Sequence, residues 1–142
     1  MTAPAGPILV TPGRAYRAEQ TLAVWAVMLG TVYALNGPRS QSMAAMADGW
    51  ALPFFAAGLI AGGLLTVLGS FWLSNLERAL EIERAGQVAL TGALLVYVAA
   101  AFSHFGWAAL LPGGLAAAWM WSNIGRVADI TRCLRHLRKK GT

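Results

Sequence analysis

The residues of this chain best equipped for chemistry lie in one run, SNLERALEIERAG (residues 74–86), where Glu77, Glu81 and Glu83 are interleaved with Arg78 and Arg84. Three of the six acidic residues of the sequence are here. Read alone, such a cluster looks like catalytic carboxylates or a charged surface that docks a partner, but no two of them are placed to share a proton. The spacing also has a plainer reading. On a helix Glu77, Glu81 and Arg84 share one face and Leu76, Leu80 and Glu83 another. Arg78 with Glu81, or Glu81 with Arg84, would then pair for roughly 0.2–0.5 kcal/mol.

The remaining candidates are weaker. His104 stands at the end of an apolar run without an acidic neighbour in sequence, so a structural or interfacial role outweighs catalysis or metal binding. Cys133 is the single cysteine; it can form no internal disulfide and lacks the Cys and His neighbours of a zinc site. No HExxH, GxSxG or phosphate-binding glycine loop is present. The expectation is a protein that is not an enzyme and uses no cofactor and no metal.

The elements that must hold these residues are written in the composition. Of 142 residues 57% are hydrophobic and 12% charged, about half the charged share of a soluble protein, which points to a membrane protein. The net charge of +5 could in a soluble chain signal nucleic acid, but no groove-reading motif accompanies it and most basic residues flank apolar runs. Nucleic acid is therefore not an expected partner.

Residues 1–14 begin MTAPAGPILVTPG, too rich in Pro and Gly for a helix, and read as a flexible arm. Residues 15–126 read as an all-α polytopic domain, an antiparallel bundle of four transmembrane helices with spans near 18–36, 51–75, 87–104 and 106–126. A signal peptide is the rival reading of the first span, because Arg14 and Arg17 precede its apolar stretch. In the 37–50 loop Met43, Met46 and Trp50 are spaced for one face of a short interfacial helix. Only His104 and Phe105 separate the third and fourth runs, which calls for a tight hairpin. Pro112, Gly113 and Gly114 would loosen the fourth span and turn it toward protein, where freed carbonyls find partners. Residues 127–142 read as a basic amphipathic tail, with Val127, Ile130, Leu134 and Leu137 on one face and Arg132, Arg135, His136, Lys139 and Lys140 around them, suited to anionic lipid headgroups.

Four spans would put the arm, the 74–86 run and the tail on one side. Ten of the eleven Lys and Arg residues fall there and only Arg39 opposite, so the positive-inside rule predicts both termini in the cytoplasm. The 74–86 run then becomes a cytoplasmic turn whose charges stop the flanking spans from sliding into lipid, with Gly86 turning the chain. Glu77, Glu81, Glu83 and Arg84 in that turn, with Arg132, Arg135, Lys139 and Lys140 in the tail, are the candidate contacts for lipid or a cytoplasmic protein.

Small residues recur at a spacing of four in every span: Ala26, Gly30 and Ala34; Gly58 and Gly62; Ala89 and Ala93; Gly114, Ala118 and Ser122. Such stripes let helix backbones approach closely in lipid, within one chain or between copies, which makes a homo-oligomer the expected state. Gly30, Gly58, Gly62, Gly114 and Ala118 are the candidate packing residues. Trp50, Trp72, Trp107, Trp119, Trp121, Tyr33 and Tyr97 lie toward span ends, as interfacial anchors do.

A Pro-rich start, TLAVWAVMLGTVYAL, a Gly-rich second run, LERALEIERAG leading into LLVYVAA, and a basic tail together resemble small four-span membrane proteins of actinobacterial phages. The resemblance is one of layout over most of the chain. It implies a holin-type role, in which copies assemble in the host inner membrane and release a lysin. A membrane-anchored assembly, exclusion or immunity factor that binds a cytoplasmic partner is the alternative.

Overall fold

The computed structural model describes residues 15–37, 50–71 and 76–140, and every element within them is helical. The arm, most of the 37–50 loop with Met43 and Met46, and Trp72 lie outside the described residues. Helix α1 is Ala15–Asn36, α2 is Ala51–Phe71 and α3 is Leu76–Phe105; a 3-10 turn, Gly106–Ala109, leads into α4, Leu110–Lys140. Successive helices pack antiparallel in chain order, α1 on α2, α2 on α3 and α3 on α4.

Among the described residues two helical stretches are long and apolar enough to cross a membrane, Ala51–Ser70 and Glu77–Leu137. About a third of each is buried inside the protein, far less than a soluble core helix would bury. The expected bundle of four transmembrane helices is therefore not what the structure shows. Among the described residues, α1, where the first span was expected, is not one of these stretches. The expected 87–104 and 106–126 spans belong to one helical stretch that starts at Glu77 and ends at Leu137, folded back at Gly106.

Where the chain turns also differs from expectation. Gly86 does not turn it: α3 runs straight through the charged run, so residues 77–86 are ordinary helix rather than a loop. At about 1.5 Å per residue the 30 residues of α3 and 31 of α4 are each about 45 Å long, against about 32 Å for α2, so both outreach their neighbours. The reversal comes after His104 and Phe105, at Gly106, whose φ of +52° is accessible to glycine at little cost. Gly37, with φ +66°, closes α1 the same way and donates its N–H to the Tyr33 carbonyl at 3.1 Å. Pro112 sits in the first turn of α4, where a missing N–H costs nothing, and introduces no mid-helix break. Nor does that segment face protein: Leu111, Gly114 and Leu115 are exposed, and only Gly113 is covered, by the Phe102 ring.

The 127–142 tail is not a separate amphipathic element. Residues 127–140 are the last four turns of α4, and Ile130 and Leu134 are buried. Ala116, Asn123 and Ile130, with Leu134, form an inward seam at spacings of seven and four that continues past the apolar run into the basic one.

At the centre Phe55 of α2 lies between Tyr33 of α1 at 5.9 Å and Tyr97 of α3 at 5.7 Å between ring centroids. Leu59, Leu90, Ala26 and Ala93 complete this core. Tyr33 and Tyr97 thus join helices together, a role beyond anchoring at an interface. Trp50, Trp107 and Trp121 are strongly exposed.

The outside is apolar. Leu22, Val24, Trp25, Met28 and Val32 of α1 are exposed, as are Leu64 and Leu68 of α2 and Leu111, Leu115 and Ile124 of α4. Hydroxyls turn back on their own helices: Thr66 Oγ1 donates to the Gly62 carbonyl, Ser70 Oγ to Thr66 and Thr91 Oγ1 to Gln87, at 2.8–2.9 Å. That arrangement satisfies a hydroxyl without water.

Candidate functional site

Two features of the molecule have the chemistry or geometry of a site. The first is a buried polar cluster where the start of α1, the end of α2, the start of α3 and the middle of α4 meet. Here Arg126 Nε donates to Glu83 Oε1 at 2.8 Å and lies 3.2 Å from Glu19 Oε2. Glu83 is 3% exposed and the Arg126 side chain 17% exposed. One guanidinium thus serves carboxylates from α1 and α3, with Glu83 holding the better geometry. Burial raises the Glu19 carboxyl above its ordinary 4.5; Arg126 pulls it back down, while Glu83 and Asp129 push it up.

One turn further in, Gln87 and Asn123 are both buried, and Gln87 Oε1 and Asn123 Nδ2 find no hydrogen-bond partner within the protein. A buried polar atom without a partner costs about 1–3 kcal/mol, whereas apolar replacement of both groups removes that cost. Gln87→Leu/Asn123→Leu is therefore expected to raise the thermal midpoint in detergent micelles. A lower midpoint would show that these amides hold the α3–α4 seam together.

Of the charged residues picked out by the 74–86 motif, the structure brings only Glu83 into the cluster. Glu77 is exposed, and Glu81 and Arg84 are half-buried. In α4, Arg135 and Lys139 are exposed and Lys140 is the last helical residue. Arg132 is exposed and sits 3.3 Å from Asp129 one turn away. Sequence reasoning missed Glu19, Gln87, Asn123 and Arg126 because each lies at or beyond the edge of an apolar run. The available signal was the inward register itself: Glu83 shares a face with Leu76 and Leu80, and Asn123 falls one heptad before Ile130.

The second feature is the pair of glycine surfaces. A Cβ on Gly30 would come within 2.9 Å of the Ala56 carbonyl oxygen, one on Gly58 within 2.8 Å of the Ala93 Cβ, and one on Gly62 within 2.8 Å of the Leu90 nitrogen. These three glycines are therefore filled from within the chain. Gly114 differs, since a Cβ there meets nothing within 4 Å, and Ala118 is exposed one turn away. Together they leave a small-residue notch on the exposed side of α4; in sequence it falls between Trp107 of the preceding 3-10 turn and Trp121, which are 84% and 77% exposed. No protein-family model, curated protein or solved structure matches the chain.

Proposed function

We propose that the chain is a non-enzymatic integral protein of a bacterial inner membrane, of holin type, which associates with further copies through the outer face of α4. The observation that carries this reading is the open notch at Gly114 and Ala118, in a stretch with an exposed tryptophan before it and another after it. Small residues permit close helix contact in lipid, and of the candidate packing residues Gly114 and Ala118 are left open while Gly30, Gly58 and Gly62 are filled by the chain's own helices. Outward apolar side chains on α1, α2 and α4, around inward-facing Glu83, Gln87 and Asn123, support residence in lipid.

The start of α1, the end of α2, the start of α3 and the end of α4 lie toward one end of the molecule, which gathers Arg78, Arg84, Arg126, Arg132, Arg135 and Lys139 there. By the positive-inside rule this end faces the cytoplasm, where its basic residues meet anionic headgroups. The exposed Arg135 and Lys139 also suit the second reading, a membrane-anchored interaction protein that binds an acidic cytoplasmic partner through this end.

Induced expression in a bacterium carrying a cytoplasmic lysin, followed by membrane potential and lysis, tests the first reading. Collapse of potential and lysis are expected; undisturbed growth at high membrane levels would leave the anchored interaction protein as the reading. Gly114→Ile/Ala118→Ile should abolish lysis without unfolding the protein, because nothing packs against the notch. Lysis that survives this change would remove α4 from the mechanism.

A further inference from the structure

The cluster around Arg126 has a property that membrane residence does not require. Apart from the Glu19–Arg126 contact, the described residues of α1 and α4 barely touch, because α1 packs on α2 and α4 on α3. Among the described residues, the Glu19 carboxylate is therefore a tie between the first helix and the last. Its hold is inferior to that of Glu83: Arg126 Nε points its hydrogen at Glu83 Oε1, and Glu19 Oε2 makes no hydrogen bond although it is buried. With both carboxylates ionised, the three groups carry one excess negative charge in a region largely shut off from water.

Among the described residues, the charges facing Glu19 are Arg126 and Asp129 from α4 and Glu83 from α3; α2 contains no ionisable residue. Two of the three are anions. A proton on Glu19 removes the excess charge, whereas its loss makes the buried position less favourable than water.

We propose that Glu19 is a proton-operated latch: protonated, it seats the start of α1 against α4 beside Arg126, and ionised, it releases that end of α1. The sign follows from linkage. The seated carboxyl holds its proton more tightly than a solvated one, so seating binds protons and weakens as pH rises from 4.5 through the seated group's raised value. The proposal concerns a different place from the α4 notch and stands whether or not that notch assembles copies.

The test uses the full chain in proteoliposomes with Cys133→Ser and spin labels at Leu22→Cys and Ala128→Cys, both exposed positions. Between about pH 5 and about pH 8 the ratio of short to long α1–α4 distances should fall, by at most about tenfold per pH unit for one linked proton. Glu19→Gln should hold the short distance at every pH. Glu83→Gln, which gives Arg126 over to Glu19 and removes a repelling anion, should flatten the pH response. A protonated-carboxyl infrared band that titrates above 4.5 in the parent and is missing in Glu19→Gln identifies the group. A distance distribution unchanged across this range in the parent, or a titration that persists in Glu19→Gln, would overturn the latch.

Discussion

Arg126→Ala is expected to destabilise the fold by about 3–5 kcal/mol, the range for removing one member of a buried ion pair. The loss exceeds that of an ordinary surface charge because of what remains. Glu83, 3% exposed, would keep a buried carboxylate without the guanidinium that now bonds it, and Glu19 would lose its ion pair with α4. Removing the carboxylates as well should reverse most of the damage. A Glu19→Leu/Glu83→Leu/Arg126→Leu triple variant is expected to recover near-parental stability, since apolar replacement of a whole buried charge cluster is often neutral or better. Denaturant titration in mixed micelles measures both. If Arg126→Ala costs under about 1 kcal/mol, the cluster is as weak as an exposed pair and holds nothing together.

The second large effect concerns Gly86, where the backbones of α2 and α3 meet. A Cβ on Gly86 would lie 2.5 Å from Thr66 Oγ1, 2.6 Å from Thr66 N and 2.7 Å from the Gly62 carbonyl oxygen. Two of those three atoms are backbone, so no side-chain rotation relieves the clash, and the helices must separate. Gly86→Ala is expected to cost at least about 1–3 kcal/mol, the usual range for overpacking, and Gly86→Val more. Gly92, on the same helix with nothing within 4 Å, is the control; Gly92→Ala should be neutral or gain up to about 1 kcal/mol from helix propensity. Equal effects at the two positions would mean that α2 and α3 do not meet as closely as the structure has them.

How much of this was legible in the sequence depends on the physical signal each part leaves. Helices left a strong one: long apolar runs separated by Gly, Pro and charge. α2 and the hairpin near His104 lie close to where the runs put them, with the reversal displaced to Gly106 because only glycine takes its φ cheaply. Span number was misjudged because hydropathy was read run by run. Among the described residues α1 is not a stretch long and apolar enough to cross a membrane, and Glu77–Leu137 is one helical stretch that a positive-φ glycine folds back.

The candidate sites were legible only in part. Spacing by four marks small residues on a shared face without saying what lies opposite. Gly30, Gly58 and Gly62 proved to be filled by the chain's own helices, and Gly114 with Ala118 proved open. The charged run looked like a turn because five charges in eight residues argue against lipid. In the fold it is the start of α3, and Glu83 reaches a partner 43 residues away in sequence, a distance at which no local pattern operates.

The central proposal, assembly through the outer face of α4, is tested most directly by disulfide crosslinking in native membranes. Single cysteines at Gly114 and Ala118, in a Cys133→Ser background, are compared with one at Val24, exposed on α1. The expected result is rapid formation of covalent dimers at 114 and 118 and little at 24. Dimers that form no faster at 114 and 118 than at 24 would contradict assembly through this face.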